Sequence, residues 1–275
     1  MERLANRVCL VTGSTGIAGA AARRLASEGA AVFVVSRTPE HAAGLAEEIR
    51  AAGGRAAAAA ADLREPDAVA GAVTACRAAF GRIDGLFAVA GGSGRAFGDG
   101  PLHRLTPEGW EETLALNLRT QALVCRAVLQ AMVEQAPTAT GSRGALLLMS
   151  SILALAPSPG YFATHAYTAA KGAILSLTRA LAAYYAPYQI RVNAVAPALT
   201  TSRMSVRAAA DPATVAFARW KQPLAGGLLD PEAVAHAAVY FLSDESRYVT
   251  GQILQIDGGW GVTGEPWLGE SEADQ

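Results

Sequence analysis

A doubly wound α/β fold, a parallel sheet with helices on both faces, follows from three observations. Short β-branched runs alternate with Ala/Leu-rich helical stretches along the chain, and strands separated by helices pair in parallel and are covered on both sides. The first such run passes directly into a loop of spaced glycines and then into a helix, as the first βα turn of that architecture requires. At 275 residues, 51% of them hydrophobic, the chain can bury a full core. Size alone allows one large domain or two small ones. With no break in composition and no internal repeat, the sequence reads as a single domain over residues 1–268 with a disordered acidic end, "GESEADQ", at 269–275.

The first strand is "RVCLVTG" (residues 7–13), an apolar run that ends on glycine, and the second is "AVFVVSR" (31–37). The third element, "RAAAAAADL" (55–63), is rich in helix-forming alanine. Its place between the helical "EEIRAAGG" and the polar "REPD" turn fits a short buried strand ending at Asp62. "IDGLFAVAGG" (83–92), "GALLLMSS" (144–151) and "IRVNAVAP" (190–197) are apolar runs bounded by Gly, Ser or Pro, the pattern of strands buried on both faces. "QILQIDGG" (252–259) closes the series.

Composition excludes several classes of function. A formal charge of −1, with no run of like charges, offers no footprint for nucleic acid or an anionic membrane, so a small neutral partner is the default. Cys9, Cys76 and Cys125 are odd in number and set in apolar contexts, which argues for buried thiols in a reducing compartment and against a disulfide frame or a metal site. The opening residues superficially copy a secretory signal, but Gly and Thr interrupt the apolar run. No stretch reaches the ~18 apolar residues of a membrane span. A soluble cytoplasmic protein is expected.

The first chemical signal is "TGSTGIAG". Gly13, Gly16 and Gly19 let the backbone around Ser14, Thr15, Ile17 and Ala18 bring the amides of a helix N-terminus against a pyrophosphate. The second strand ends at "VVSRTPE". A cofactor with a free adenosine ribose favours an acid there, whereas Ser36, Arg37 and Thr38 offer hydroxyls and a guanidinium to a 2′-phosphate. NADP(H) is therefore preferred over NAD(H), which stays possible.

A further signal is "YTAAK". Of 23 Lys+Arg, only Lys171 and Lys221 are lysine, and Lys171 stands one helical turn after Tyr167 on the same face. Taken together, "TGSTGIAG", "ADL", "LNLRTQA", "MSS", "YTAAK", "RVNAVAP" and "YVTGQILQIDGG" resemble the short-chain dehydrogenase/reductase family, over nearly the whole chain and in its order and spacing. The resemblance implies a single-domain Rossmann fold and hydride transfer between a nicotinamide and a ketone or secondary alcohol. It puts Asn117, Ser151, Tyr167 and Lys171 at the positions of an active-site tetrad, with Ser150 the rival for the serine role. It also implies cofactor contacts from Asp62 and Leu63 (adenine), from Ala90 and Gly91, from Tyr167 and Lys171, and from Pro197, Thr200 and Ser202 around the nicotinamide amide.

The chemistry fits the residue types. A phenol titrates at about 10, and acid–base work near neutrality needs that value lowered by about two to three units. An ammonium about 4 Å away supplies energy of that order at an effective dielectric of about 20, and its slim head reaches a phenol and a ribose hydroxyl together where a guanidinium fork does not fit. Tyr167 is then expected to donate the proton, Ser151 to hold the carbonyl oxygen, and Asn117 to anchor a water linking Lys171 to solvent.

Departures from the family pattern keep alternatives open. Two residues rather than three separate Gly13 from Gly16, a TGxxGxxG form shared with longer epimerase and dehydratase relatives, although the length and the "YVTGQILQIDGG" ending favour the compact reductases. Ala88-Val89-Ala90-Gly91 stands where the family has "NNAG", so a cofactor-binding sensor or scaffold without turnover is a second reading. The Ser-to-Tyr interval is long, which gives residues 152–166 to the pocket wall. His165 reads as a loop histidine, and Arg95 in the glycine-rich "GGSGRAFGDG" either meets an acidic substrate or belongs to a plain loop. Residues 203–229 resemble a substrate lid, with Phe217 and Trp220 as apolar surface. Surplus apolar positions on "WEETLALNLRTQALVCRAVLQAM" and "YTAAKGAILSLTRALAAYYA" predict a homotetramer or dimer, with Trp260 and Trp267 anchoring the tail on a neighbour.

Overall fold

The computed structural model describes residues 2–264; Trp267 and residues 269–275 lie outside them. Seven strands form one parallel sheet: β1 (Val8–Thr12), β2 (Ala31–Ser36), β3 (Arg55–Ala60), β4 (Gly85–Ala88), β5 (Gly144–Met149), β6 (Ile190–Pro197) and β7 (Ile253–Ile256). Their spatial order is β3-β2-β1-β4-β5-β6-β7, so the direction of winding reverses between β1 and β4. A crevice opens there at the carboxyl ends of the strands, the place where open α/β sheets bind ligands. The alanine-rich segment is strand, paired from Ala31↔Arg55 to Ser36↔Ala60, and it ends two residues before the expected Asp62. Tertiary pairing at the sheet edge overrides the helical preference of alanine.

Nine α-helices cover the sheet among the described residues: α1 (Ile17–Ser27), α2 (Pro39–Ala51), α3 (Pro66–Phe80), α4 (Pro107–Leu114), α5 (Thr120–Glu134), α6 (His165–Tyr185), α7 (Val206–Ala210), α8 (Pro212–Lys221) and α9 (Pro231–Leu242). The buried faces of α1, α2 and α9 pack on one side with Val11, Val34 and Phe87. Those of α3, α5 and α6 pack on the other with Leu10, Phe33 and Leu148. Helices α2, α3, α4, α8 and α9 all begin on proline, whose missing N–H costs nothing in the first turn. Cys9, Cys76 and Cys125 are buried and free, and burial pushes all three thiols up. No helix among the described residues is long and apolar enough to cross a membrane.

Candidate active site

Along the carboxyl edge of the sheet lies a cavity of about 230 Å³, lined by Ile17 of the glycine loop, Gly91, Asn117, Ser150, Ser151, Tyr167, Lys171, Pro197, Thr200 and Ser202. They come from the ends of several elements: the start of α1, the ends of β4, β5 and β6, the turn before α5 and the first turns of α6. Tyr167 and Lys171 are fixed by α6, whose first turn is held from outside: the Asp99 carboxylate accepts from the backbone N–H groups of Ala166 and Tyr167, both at 3.0 Å. The Leu102 N–H donates to His165 Nδ1 at 3.0 Å, which makes that histidine a loop clamp. The glycine-rich segment after β4 is therefore tied to the start of the tyrosine helix.

Ser150 and Ser151 separate cleanly. The Ser150 hydroxyl donates to the Lys171 carbonyl at 2.8 Å, so it is committed to holding α6 on β5. Ser151 accepts from Leu153 N–H at 3.2 Å, and its hydroxyl beside the Tyr167 phenol favours the ionised form. Burial acts the other way and is the larger effect, so the phenol is held above its ordinary value.

The ammonium of Lys171 donates to Met149 O at 2.9 Å and lies 5.5 Å from the centre of the Tyr167 ring. The side chain is 2% exposed, and burial lowers its pKa to about 7. The expected lowering of the phenol by the lysine is thus not what the geometry gives. Desolvation by burial is the largest effect on both groups in the cofactor-free protein. The other lysine, Lys221, is structural: its ammonium donates to Thr263 O.

Asn117 sits in a single π-helical turn, Ala115–Arg119, between α4 and α5, an irregularity common at functional sites. Its amide donates to Gly92 O and to Thr113 O, both at 3.0 Å, and accepts from Gly92 N–H at 3.1 Å. Thr12 Oγ1 accepts from Ala90 N–H at 3.0 Å. These bonds support the strand end in place of the missing asparagines.

The residues around the crevice fit a dinucleotide. Gly13 and Gly16 have φ of +94° and +54°, and a Cβ on Gly16 would come within 3.0 Å of Ser202 Cβ. A Cβ on Gly91 would lie 2.7 Å from Asn117 Oδ1. The start of α1 carries no side-chain cap and no acid in its first turn, which leaves its amides free for a phosphate. Further along the edge, Ser14 Oγ donates to Ser36 Oγ at 3.1 Å, and Arg37 and Thr38 follow at the mouth of β2. Asp62 makes a 2.7 Å ion pair with Arg64, a partner not read from the sequence. The Arg64 hydrogen bond, then the charges of Arg64 and Arg37, bring the Asp62 carboxyl to about 2. Leu63 is buried beside it.

The long loop before α6 does form wall: Ile152, Leu153, Phe162 and Thr164 line the cavity. From residues 203–229 the wall takes Met204, Ser205, Arg207 and Ala208, whereas Phe217 and Trp220 do not reach it. Phe217 instead stacks on Tyr161 with ring centres 4.1 Å apart and meets Trp260 edge-on at 5.3 Å. Trp260 is 1% exposed, donates to Ala156 O at 3.1 Å and lines the cavity. Its expected role as an anchor on a neighbour is corrected by that burial within its own chain. Buried Gln222 accepts from Leu199 N–H at 2.7 Å and donates to Leu199 O at 3.2 Å, binding the segment after β6 to the base of α8.

Residues 11–261 match a family profile described as Enoyl-(Acyl carrier protein) reductase. The chain belongs to the short-chain dehydrogenase/reductase family. It is similar to the cis-4-hydroxycyclohexanecarboxylate dehydrogenase of Sinomonas cyclohexanicum, with 38% identity covering 94% of this chain and 98% of that protein. A short-chain type dehydrogenase/reductase from Mycobacterium ulcerans superposes with a TM-score of 0.85 at 29% identity, covering 96% of this chain and 93% of that one. The 3-ketoacyl-(acyl-carrier-protein) reductase from Brucella melitensis complexed with NADH superposes with a TM-score of 0.82 at 30% identity, over 94% of this chain and 100% of that one. As a short-chain dehydrogenase/reductase, the protein is a nicotinamide-dependent oxidoreductase acting between alcohols and carbonyls.

Proposed function

We propose that the protein is an NADP(H)-dependent oxidoreductase that moves hydride between the nicotinamide and a ketone or secondary alcohol, with Tyr167 as the general acid or base. The observation that carries this reading is the convergence of Tyr167, Ser151, Lys171 and Asn117 on one cavity that continues into the glycine loop. Gly13, Gly16, Ser202, Asn117 and Lys171 would hold the nicotinamide cofactor, which would supply or accept the hydride and, when oxidised, would add positive charge near the phenol. The phenol, kept protonated by burial, gives its proton to the oxygen of the carbonyl being reduced, and the Ser151 hydroxyl orients that oxygen. Lys171, whose pKa burial lowers to about 7, exchanges the proton onward. Asn117 holds the Gly92 peptide against the cavity and keeps its floor in place. Apolar side chains at the wall, Leu153, Phe162, Met204 and Trp260, favour a substrate with an apolar body, in line with the cyclic substrate that the name of the Sinomonas protein describes. Following NADPH and NADH oxidation against a panel of ketones tests the reading; no turnover with any of them would favour a sensor or scaffold.

Cofactor choice rests on Ser36 and Arg37. Ser36 brings no carboxylate to repel a 2′-phosphate, and each charge-assisted bond from Arg37 is worth about 1.5–3 kcal/mol, so NADPH should be preferred by about tens-fold. Arg37→Ala should collapse that ratio and Ser36→Asp should move it towards NADH. An unchanged ratio of kcat/KM values in Arg37→Ala contradicts the assignment.

Assembly is proposed to be a homotetramer, or a homodimer, through the faces of α5 and α6 turned away from the sheet. Leu123, Leu177 and Leu181 pack at the rim of the core and stay partly exposed, and Tyr184 on α6 is 64% exposed. Light scattering at micromolar concentration should give a multiple of the 28.3 kDa chain mass; a monomer would refute it.

A further inference from the structure

The cavity wall contains three basic side chains, Lys171, Arg95 and Arg207, and no carboxylate. Lys171 lies at the buried end beside Tyr167. The two arginines stand on separate segments, Arg95 in the short turn Gly94–Phe97 after β4 and Arg207 in α7, and both residues are exposed.

Neither guanidinium has an acidic partner within ion-pair distance among the described residues. Arg95 reaches only Tyr161 O, at 3.4 Å. The two nearby acids are already committed. Asp99 accepts from the first N–H groups of α6, and Asp211 caps α8 through Ala213 and Thr214. Burial, and next to it the charge of Arg207, lowers Arg95, with Asp99 only partly offsetting them. Two arginines thus share the wall of one cavity that, among the described residues, holds no carboxylate, an arrangement whose repulsion a bound anion relieves.

We propose that Arg95 and Arg207 form a carboxylate-binding subsite, so that the substrate is a ketone or secondary alcohol that also carries a carboxylate. The guanidinium fork matches the two oxygens of that group, and recognition of an acid sits with the chain's near-neutral total charge because the positive field is local to the cavity. This proposal rests on the oxidoreductase reading above and names the class of substrate for the same site.

The test uses a pair of probes of nearly equal shape, 4-acetylbenzoate and 4-acetylbenzamide. Their binding to the full-length protein with saturating NADP⁺ is measured by calorimetry, and their reduction is followed with NADPH. The acid should bind about ten- to a hundred-fold more tightly than the amide, the scale of one or two charge-assisted bonds, and its advantage in kcat/KM should appear in KM. Arg95→Gln and Arg207→Gln should each bring the acid-to-amide ratio towards one. Equal binding of acid and amide by wild type, or failure of both to bind, overturns the subsite. So does an effect of the arginine variants on NADP⁺ affinity in place of the probe ratio, because the guanidinium groups would then serve the cofactor's phosphates. Acid-selective binding with no turnover of any ketone would leave the subsite standing and count against the oxidoreductase reading alone.

Discussion

Tyr167→Phe is expected to lower kcat by about 10²–10⁴-fold while the cofactor still binds. It removes the transferable proton and leaves the ring packed at the start of α6. The direction of the phenol's shift adds a pH signature. Because burial keeps Tyr167 protonated well past neutrality, carbonyl reduction should run at full rate at neutral pH. Alcohol oxidation, which needs the ionised phenol, should climb with pH. The residual activity of the phenylalanine variant should lack that climb. A variant that turned over like wild type, or an oxidation rate flat with pH, would remove Tyr167 from the proposed role.

Lys171 should give the second large effect, and stability separates its charge from its shape. Burial brings the ammonium to about 7, against about 10.4 in an unfolded chain. Between those values the unfolded chain holds a proton that the folded protein lacks, so this site's contribution to stability rises with pH across that window. It is lost as pH falls towards 7, and below 7 both forms are charged and the penalty is complete. Lys171→Met should therefore raise the melting temperature most at and below neutral pH, with the gap to wild type closing as pH approaches 10; a gap independent of pH would contradict the burial argument. Lys171→Arg should instead lower both stability and turnover. The ammonium sits 2.9 Å from Met149 O, and a Cβ on Gly91 would lie only 3.7 Å from it. A broad group that cannot shed its charge has no room there.

What the sequence made legible follows from what is local. The strands, including the alanine-rich β3, and the glycine loop announce themselves through runs and spacing, and the same spacing puts Tyr167 and Lys171 one helical turn apart on α6. The ties that aim those groups are not local. Asp99 binds the start of α6 across more than sixty residues of chain, with separations of 67 and 68. Gln222 reaches Leu199 from the far end of the lid segment, and no residue pattern marks either of them. The place of Trp260 is hidden because its partners lie far off in the chain, Phe162 on the loop before α6 and Phe217 on α8, and only the fold brings them together. The upward shift of the Tyr167 phenol in the cofactor-free protein is hidden from the sequence for a related reason. Charge can be read from letters, whereas the cost of burying it depends on how completely the surrounding chain closes over it.

Hydride transfer at a centre whose proton comes from Tyr167 leaves a label in the product. Its most direct test is reduction of a ketone with NADPH deuterated at the nicotinamide C4, each diastereomer supplied in turn, followed by mass spectrometry of the alcohol. One diastereomer should deliver its deuterium to the carbinol carbon, and label transfer should fall with turnover in Tyr167→Phe. An alcohol without label from either diastereomer, or labelled product formed by Tyr167→Phe at the wild-type rate, would contradict it.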